Sequence, residues 1–232
     1  MNPAPDINSP LQAVLFDLDG TLLDTAPDFA VVINRLLQRH GKPPLDYQPI
    51  RDTVSNGARA LVALAFGLQE GDAGFDDIRR ELLELYSANL AVNTAPFPGI
   101  GELLDWLDHS GLPWGVVTNK PRLYAEPILQ ALSLAERCAA LVCPDDVTRT
   151  KPDPEPLLLA CDQIRCNAAQ TIYLGDHRRD IEAGINAGMK TLAVNYGYID
   201  PADPAHSWQA DFYVDHASEI QPLLESLREP AR

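Results

Sequence analysis

A doubly wound parallel α/β sheet carrying an inserted all-helical domain is the fold class that this 232-residue sequence predicts. Three observations carry that expectation. Short, continuous apolar runs recur along the chain, helical patterns separate most of them, and residues 25–91 break the alternation with helical spacing alone. Strands covered on both faces read as unbroken apolar runs, and their alternation with helices is the pattern of a parallel sheet wrapped on both sides.

The first run, residues 12–17 (QAVLFD), predicts a buried strand. Residues 25–40 then predict a helix. Thr25-Ala26-Pro27-Asp28 offers a start, Phe29, Val32, Ile33, Leu36, Leu37 and His40 repeat at helical spacing, and Gly41 follows. Two more helices run through ARALVALAF and IRRELLELYSANL, the second with Ile78, Leu82, Leu85, Tyr86 and Leu90 on one face. Beyond residue 92, strands at 113–118, 139–143, 171–175 and 190–195 alternate with helices at 99–110, 121–132, 154–165 and 178–188, and Gly111 and Gly188 are placed to stop two of the helices. Residues 1–24 and 92–232 are therefore expected to form the α/β domain, and residues 25–91 the helical one.

Composition excludes several classes of partner. Hydrophobic residues make up 46% and charged residues 22%, which is ordinary globular usage. Lys and Arg total 18 against 33 Asp and Glu, a net charge of -15, and no basic block could track a nucleic-acid backbone. No apolar run approaches the roughly 18 residues of a membrane span, and MNPAPDINSPL lacks the basic start and apolar middle of a secretion signal, so a cytoplasmic location is expected. Cys138 and Cys143, like Cys161 and Cys166, are separated by four residues. Structural zinc sites favour tighter pairs, which makes buried reduced thiols the expected state.

A parallel sheet places its ligand site outside the carboxyl ends of its strands. Asp17 ends the first strand, Thr118 and Asn119 end GVVTN, Asp176 follows TIYLG, and Lys151 lies in the loop after ALVC. Asp17 and Asp19, two residues apart, lean the same way if strand geometry persists, and their repulsion raises one pKa unless a cation sits between them. With Asp176 they make three acids on one rim, an oxygen-only set suited to Mg2+, and Lys151 adds a fixed positive charge.

These residues resemble the haloacid dehalogenase superfamily of phosphohydrolases through four motifs in that family's order: FDLDGT at 16–21, VVTN at 116–119, Lys151 within KPDPEP, and GDHRRD at 175–180. The resemblance implies that the helical insert is a cap closing over a Rossmann-like core. It also implies Mg2+-dependent phosphomonoester hydrolysis, with Asp17 as nucleophile and Asp19 as the acid and base that serves the leaving group and then water. Mg2+ would take a carboxylate oxygen of Asp17, the backbone carbonyl of Asp19, and Asp176. Thr118 and Asn119 would hold the phosphoryl group, Lys151 would neutralise both phosphate and Asp17, and Asp180 would orient the metal's water shell. His177 departs from the commonest fourth motif, where an acidic or small polar residue follows the metal-binding aspartate. That departure reads either as weaker, more pH-dependent Mg2+ binding or as an exposed histidine at a helix start.

Related chemistries separate on this sequence. Dehalogenation needs neither the metal nor an acid at position 19. Phosphonate cleavage needs a Schiff-base lysine from the insert, where Lys42 is the one lysine and sits in the turn GKPP. A phosphomutase, which keeps water from the aspartyl-phosphate, stays open, as does a non-catalytic binding protein, although Asp17 and Asp19 are both present. A dinucleotide fold lacks its G-x-G-x-x-G. In SNGARA at 55–60, Arg59 sits in a first helical turn, where it either pairs with a substrate carboxylate or stands on a solvated face. Stretches such as WGVVTNKP, CPDDVTRTKPDPEPLLLAC and YGYIDP resemble the N-acetylmuramic acid 6-phosphate phosphatases of cell-wall recycling, with phosphoglycolate phosphatases as the alternative. A small phosphorylated metabolite is the expected partner.

Overall fold

A computed structural model of the chain describes residues 10–228. Most of the N-terminal stretch read for a secretion signal, and the first and last residues assigned to the α/β domain, lie outside the described residues. The strands are β1 (Ala13–Phe16), β2 (Leu23–Asp24), β3 (Ala95–Pro96), β4 (Trp114–Val117), β5 (Ala140–Val142), β6 (Thr171–Gly175), β7 (Lys190–Val194) and β8 (Phe212–Val214). Six of them form one sheet in the order β5-β4-β1-β6-β7-β8, with every neighbouring pair parallel. β1 lies inside the sheet between β4 and β6, and all four of its residues are buried.

Four helices fall between β2 and β3: α1 (Ala26–Arg39), α2 (Tyr47–Thr53), α3 (Gly57–Phe66) and α4 (Phe75–Ser87). The sequence predicts three of these. α2 has seven residues and buries only Ile50, so it carries no readable periodicity. The chain enters and leaves this segment through β2 and β3, which pair with each other antiparallel. Asp28 fastens the same junction. Its fully buried carboxylate accepts the backbone N–H groups of Val92 (3.1 Å), Asn93 (2.7 Å) and Thr94 (3.2 Å), and the Thr94 hydroxyl (2.7 Å). A buried carboxylate saturated with donors avoids the penalty of an unpaired charge.

The remaining helices are α5 (Ile100–His109), α6 (Arg122–Ala131), α7 (Glu155–Ile164), α8 (Arg178–Ala187) and α9 (Ile220–Arg228). Successive strand residues point to opposite faces. Val14, Phe16, Ile172 and Leu174 pack with Leu104 of α5, Ile128 of α6 and Leu224 of α9. Leu15, Val117 and Tyr173 pack with Leu157 and Ala160 of α7 and Ala183 of α8. The sheet is thus covered on both faces, as the alternating pattern predicts. Gly188 ends α8 in the left-handed conformation (φ 72°), which glycine adopts without a side-chain clash. The sequence reading assigns no element beyond residue 195. The structure adds β8, a three-residue edge strand, and α9, whose Ile220 and Leu224 seal one face of the sheet.

Candidate active site

Asp17 stands one residue past β1, where its backbone N–H still donates to the Leu174 carbonyl (2.9 Å). This keeps the residue in register with the sheet and aims its side chain at the rim. One carboxylate oxygen, Oδ1, accepts both the Leu18 backbone N–H (2.7 Å) and the Lys151 ammonium (2.8 Å). Burial pushes the Asp17 pKa up to about 6 despite Lys151, with Asp180 adding to the rise.

Asp17, Asp176 and Asp180 each place a carboxylate oxygen within 4.8 Å of the others, and all three are buried. Asp176 follows β6 and is held on both oxygens, by the Thr21 hydroxyl (3.2 Å) and by the Tyr198 backbone N–H (2.8 Å). Burial, then the charges of Asp17 and Asp180, push its pKa up to about 8. The close approach depends on Gly20 (φ 85°), because a Cβ there would lie 2.0 Å from Asp176 Oδ2. Lys151 is inserted between two of the acids, 2.8 Å from Asp17 and 2.7 Å from Asp180, and also reaches the Tyr173 hydroxyl (2.8 Å) and the Val117 carbonyl (3.1 Å). Burial opposes its charge, but the two carboxylates outweigh burial and hold its pKa above the ordinary value. Lys151 is only 4% exposed although it lies in a loop.

The Asp19 carboxylate stays outside this cluster. Its Oδ1 accepts the Thr25 hydroxyl (2.5 Å) and the ammonium of Lys120 (2.8 Å). Sequence reasoning missed Lys120, although it directly follows VVTN at a strand end. The residue is buried, its Nζ lies 5.1 Å and 4.8 Å from the ring centroids of Phe29 and Tyr86, and those two rings stack at 4.0 Å. Burial works against the ammonium, and Asp19 and Tyr86 reverse the balance and raise its pKa. Lys120→Met leaves the partly buried Asp19 without its cation, so it should cost about 1–3 kcal/mol in urea unfolding. Adding Asp19→Asn should return part of that loss, and additive effects would show that the two groups are uncoupled.

Thr118 and Asn119 continue from β4 at the same rim. The Thr118 hydroxyl accepts the Lys120 backbone N–H (3.1 Å), and Asn119 donates to the Lys151 carbonyl (3.1 Å), fixing the loop that carries the lysine. The Asn119 side-chain oxygen is buried with no partner. His177 caps α8, where its Nδ1 accepts the Arg179 N–H (3.2 Å) and the Asp180 carboxylate accepts the His177 N–H (3.1 Å). It is half-buried rather than exposed, and burial together with Arg179 pushes its pKa down to about 4. His177 is therefore neutral at pH 7 and adds no charge beside Asp176.

A cavity of ≈ 540 Å³ opens over these groups, with α3 and α4 forming its far wall. Ser55, in the turn that precedes α3, donates its hydroxyl to Asp176 (3.3 Å) and accepts Arg179 on its carbonyl (2.5 Å). Arg59 borders the cavity but pairs with Glu70 (3.0 Å), and its side chain is 63% exposed. The four cysteines are free thiols. No helix among the described residues is long and apolar enough to cross a membrane.

The cluster fits a hard divalent cation. When all three carboxylates are ionised, against one ammonium they leave two negative charges, every donor is oxygen, and Asp176 is held by Thr21 and Tyr198. A buried carboxylate at a strand end, a second carboxyl 2.8 Å from a lysine, and a strand-end hydroxyl border one cavity.

Comparisons with known proteins agree with this geometry. Residues 14–194 match the family described as haloacid dehalogenase-like hydrolase. The chain is 55% identical to the N-acetylmuramic acid 6-phosphate phosphatase of Pseudomonas aeruginosa over 93% of its own length and 95% of that protein's. It is 41% identical to a phosphoglycolate phosphatase of Xanthomonas campestris, over 90% and 94% of the two chains. A crystal structure of a predicted phosphoglycolate phosphatase from Haemophilus somnus superposes with a TM-score of 0.81 at 27% identity, covering 93% of this chain and 98% of that one.

Proposed function

The chain belongs to the haloacid dehalogenase-like hydrolase family, and from that premise we propose that it is a Mg2+-dependent phosphatase that forms an aspartyl-phosphate on Asp17 and acts on N-acetylmuramic acid 6-phosphate. The observation that carries the reading is the division of labour between the two aspartates: Asp17 lies in the acidic cluster with Lys151, and Asp19 is held apart by Thr25 and Lys120.

Asp17 attacks phosphorus and the ester P–O bond breaks. The electron pair leaves on the sugar oxygen, which takes a proton from the Asp19 carboxyl. Asp19, now a carboxylate, takes a proton from water as that water attacks phosphorus, and the bond to Asp17 breaks to regenerate its carboxylate. Thr118 and Lys151 hold phosphoryl oxygens through both displacements. Asp17 and Asp176, with the Asp19 carbonyl, would hold Mg2+, and Asp180 supports Lys151 and the cation's surroundings. When bound, Mg2+ supplies the positive charge that lets an anionic nucleophile approach an anionic ester.

Residues 25–91 act in this reading as a cap that excludes water and reads the leaving group, with residues 1–24 and 92–232 as the catalytic domain. The β2–β3 pair and the Asp28 contacts at the junction support that division. The sugar is favoured over phosphoglycolate by the 55% identity against 41%. A ≈ 540 Å³ cavity also lies in the range of pockets for sugar-sized ligands, roughly 300–1,000 Å³, and a two-carbon acid would leave most of it to water. Consumption of a cell-wall sugar phosphate places the reaction in peptidoglycan recycling. The test is kcat/KM for the two substrates with Mg2+ and with chelator. A preference for phosphoglycolate would reverse the substrate reading, and full activity in chelator would reverse the mechanism.

The acidic cluster makes a second prediction. The folded pKa values of Asp17 and Asp176 are raised from 3.8 to about 6 and about 8. Protonation of these two groups therefore stabilises the fold at low pH, and without a cation that contribution is lost as pH rises through 6 and 8. Mg2+ replaces the protons, so its increment in Tm should grow from pH 5 to pH 8. An increment independent of pH would mean that the cation binds elsewhere.

A further inference from the structure

We infer that Arg79, on α4, is the specificity-determining residue of this site, and that it takes a substrate carboxylate lying at the far end of the cavity from the phosphate. The inference rests on the phosphatase reading above and assigns the residue that distinguishes its substrates.

Arg79, Leu83 and Tyr86 all line the cavity, and their spacing of four and then three residues puts them on one face of α4. Tyr86 marks the reacting end, because its ring centroid is 4.8 Å from Lys120 Nζ, which is itself 2.8 Å from Asp19. Seven residues at the helical rise put the backbone of Arg79 about 10 Å further along the axis. Helical side chains lean toward the N terminus, so the two side chains lean the same way and this axial offset is kept.

Arg79 is also the cation of this wall that lacks a protein partner. Its Nε is buried with no hydrogen-bond partner, and among the described residues no carboxylate pairs with it. Its neighbours are already occupied: Arg80 pairs with Asp77 on the exposed side of α4, and Arg59 pairs with Glu70 at the cavity edge. In a chain with 33 acids against 18 bases, a half-buried guanidinium that borders a cavity and pairs with none of them among the described residues is a site awaiting an anion. Its planar fork matches a carboxylate in a two-point hydrogen bond, which an ammonium does not reproduce.

The separation selects the substrate. In phosphoglycolate one methylene joins the carboxylate to the phosphate oxygen, a span well short of the roughly 10 Å offset between Tyr86 and Arg79 along α4. In a 6-phosphorylated muramic acid the lactyl carboxylate hangs from C3, with C4 and C5 of the ring between it and the C6 phosphate, so the two anions stand several bonds further apart, and the lactyl methyl gives Leu83 an apolar partner. Arg79 therefore takes the role that sequence reading gave to Arg59.

The test uses the full chain with Mg2+ and compares N-acetylmuramic acid 6-phosphate, N-acetylglucosamine 6-phosphate, which lacks the lactyl acid, and 2-phosphoglycolate. Arg79→Met should lower kcat/KM for the lactyl sugar about 10- to 100-fold, mainly through KM, and at least ten times more than for the neutral sugar. Arg79→Lys should recover part of the loss, and Arg59→Met should cost less than about threefold. Equal losses on both sugars, or a larger selective loss from Arg59→Met, would overturn the assignment. The wild-type preferences separate the two levels of argument. A wild-type preference for the lactyl sugar that Arg79→Met leaves intact overturns this inference alone. A wild-type preference for phosphoglycolate overturns the substrate reading and the inference together.

Discussion

Asp17→Asn should reduce turnover by about 10^5-fold or more, the scale on which loss of a covalent nucleophile is felt, while leaving the protein folded. The amide oxygen is a poor nucleophile, and no other carboxylate can replace it. Asp19 is held by Thr25 and Lys120, Asp180 by Lys151, and Asp176 by Thr21 and Tyr198. Stability should move the other way. Because burial raises the Asp17 pKa to about 6, its ionised form is penalised above that pH. A neutral isostere removes the penalty, and Lys151 keeps Asp180 as its counterion. Metal-free Asp17→Asn at pH 8 should therefore melt at or above the wild-type Tm. A lower Tm would mean that the Asp17–Lys151 pair contributes more to folding than burial takes away.

Asp19→Asn should slow turnover about 10^2- to 10^4-fold, the usual contribution of a positioned acid and base, and the loss should depend on the leaving group. A sugar alkoxide needs a proton to depart, whereas an aryl oxide leaves with less help. With an aryl phosphate the first step should survive better than the second, which still needs a base for water, and the aspartyl-phosphate should accumulate. Rapid-quench kinetics on both substrates read this directly. Equal losses on alkyl and aryl esters would assign the proton to a group other than Asp19.

Much of the site is legible in sequence because a parallel sheet converts strand ends into neighbours. Once β1, β4 and β6 are recognised as apolar runs, Asp17, Thr118, Asn119 and Asp176 must share a rim. What was not legible depends on the approach of one element to another. Lys120 follows a recognised motif, yet its pairing with Asp19 and its position among Phe29 and Tyr86 arise only when α1 and α4 settle over the sheet. Tyr173 looks like one more apolar strand residue until its hydroxyl is seen against Lys151. Arg79 and Arg80 are adjacent identical residues, and only the rotation of α4 gives one the cavity and the other Asp77. β8 and α2 escaped because three and seven residues are too few to express a period.

The central claim is that the phosphoryl group passes through Asp17. Asp19→Asn enzyme mixed with an excess of aryl phosphate and Mg2+, quenched within the first turnover and reduced with borohydride, should yield homoserine at position 17 in the peptide carrying FDLDGT, and the product should be absent when Asp17→Asn is added. Phosphate release at the Asp19→Asn rate with an unmodified Asp17 would instead mean that water attacks the substrate directly.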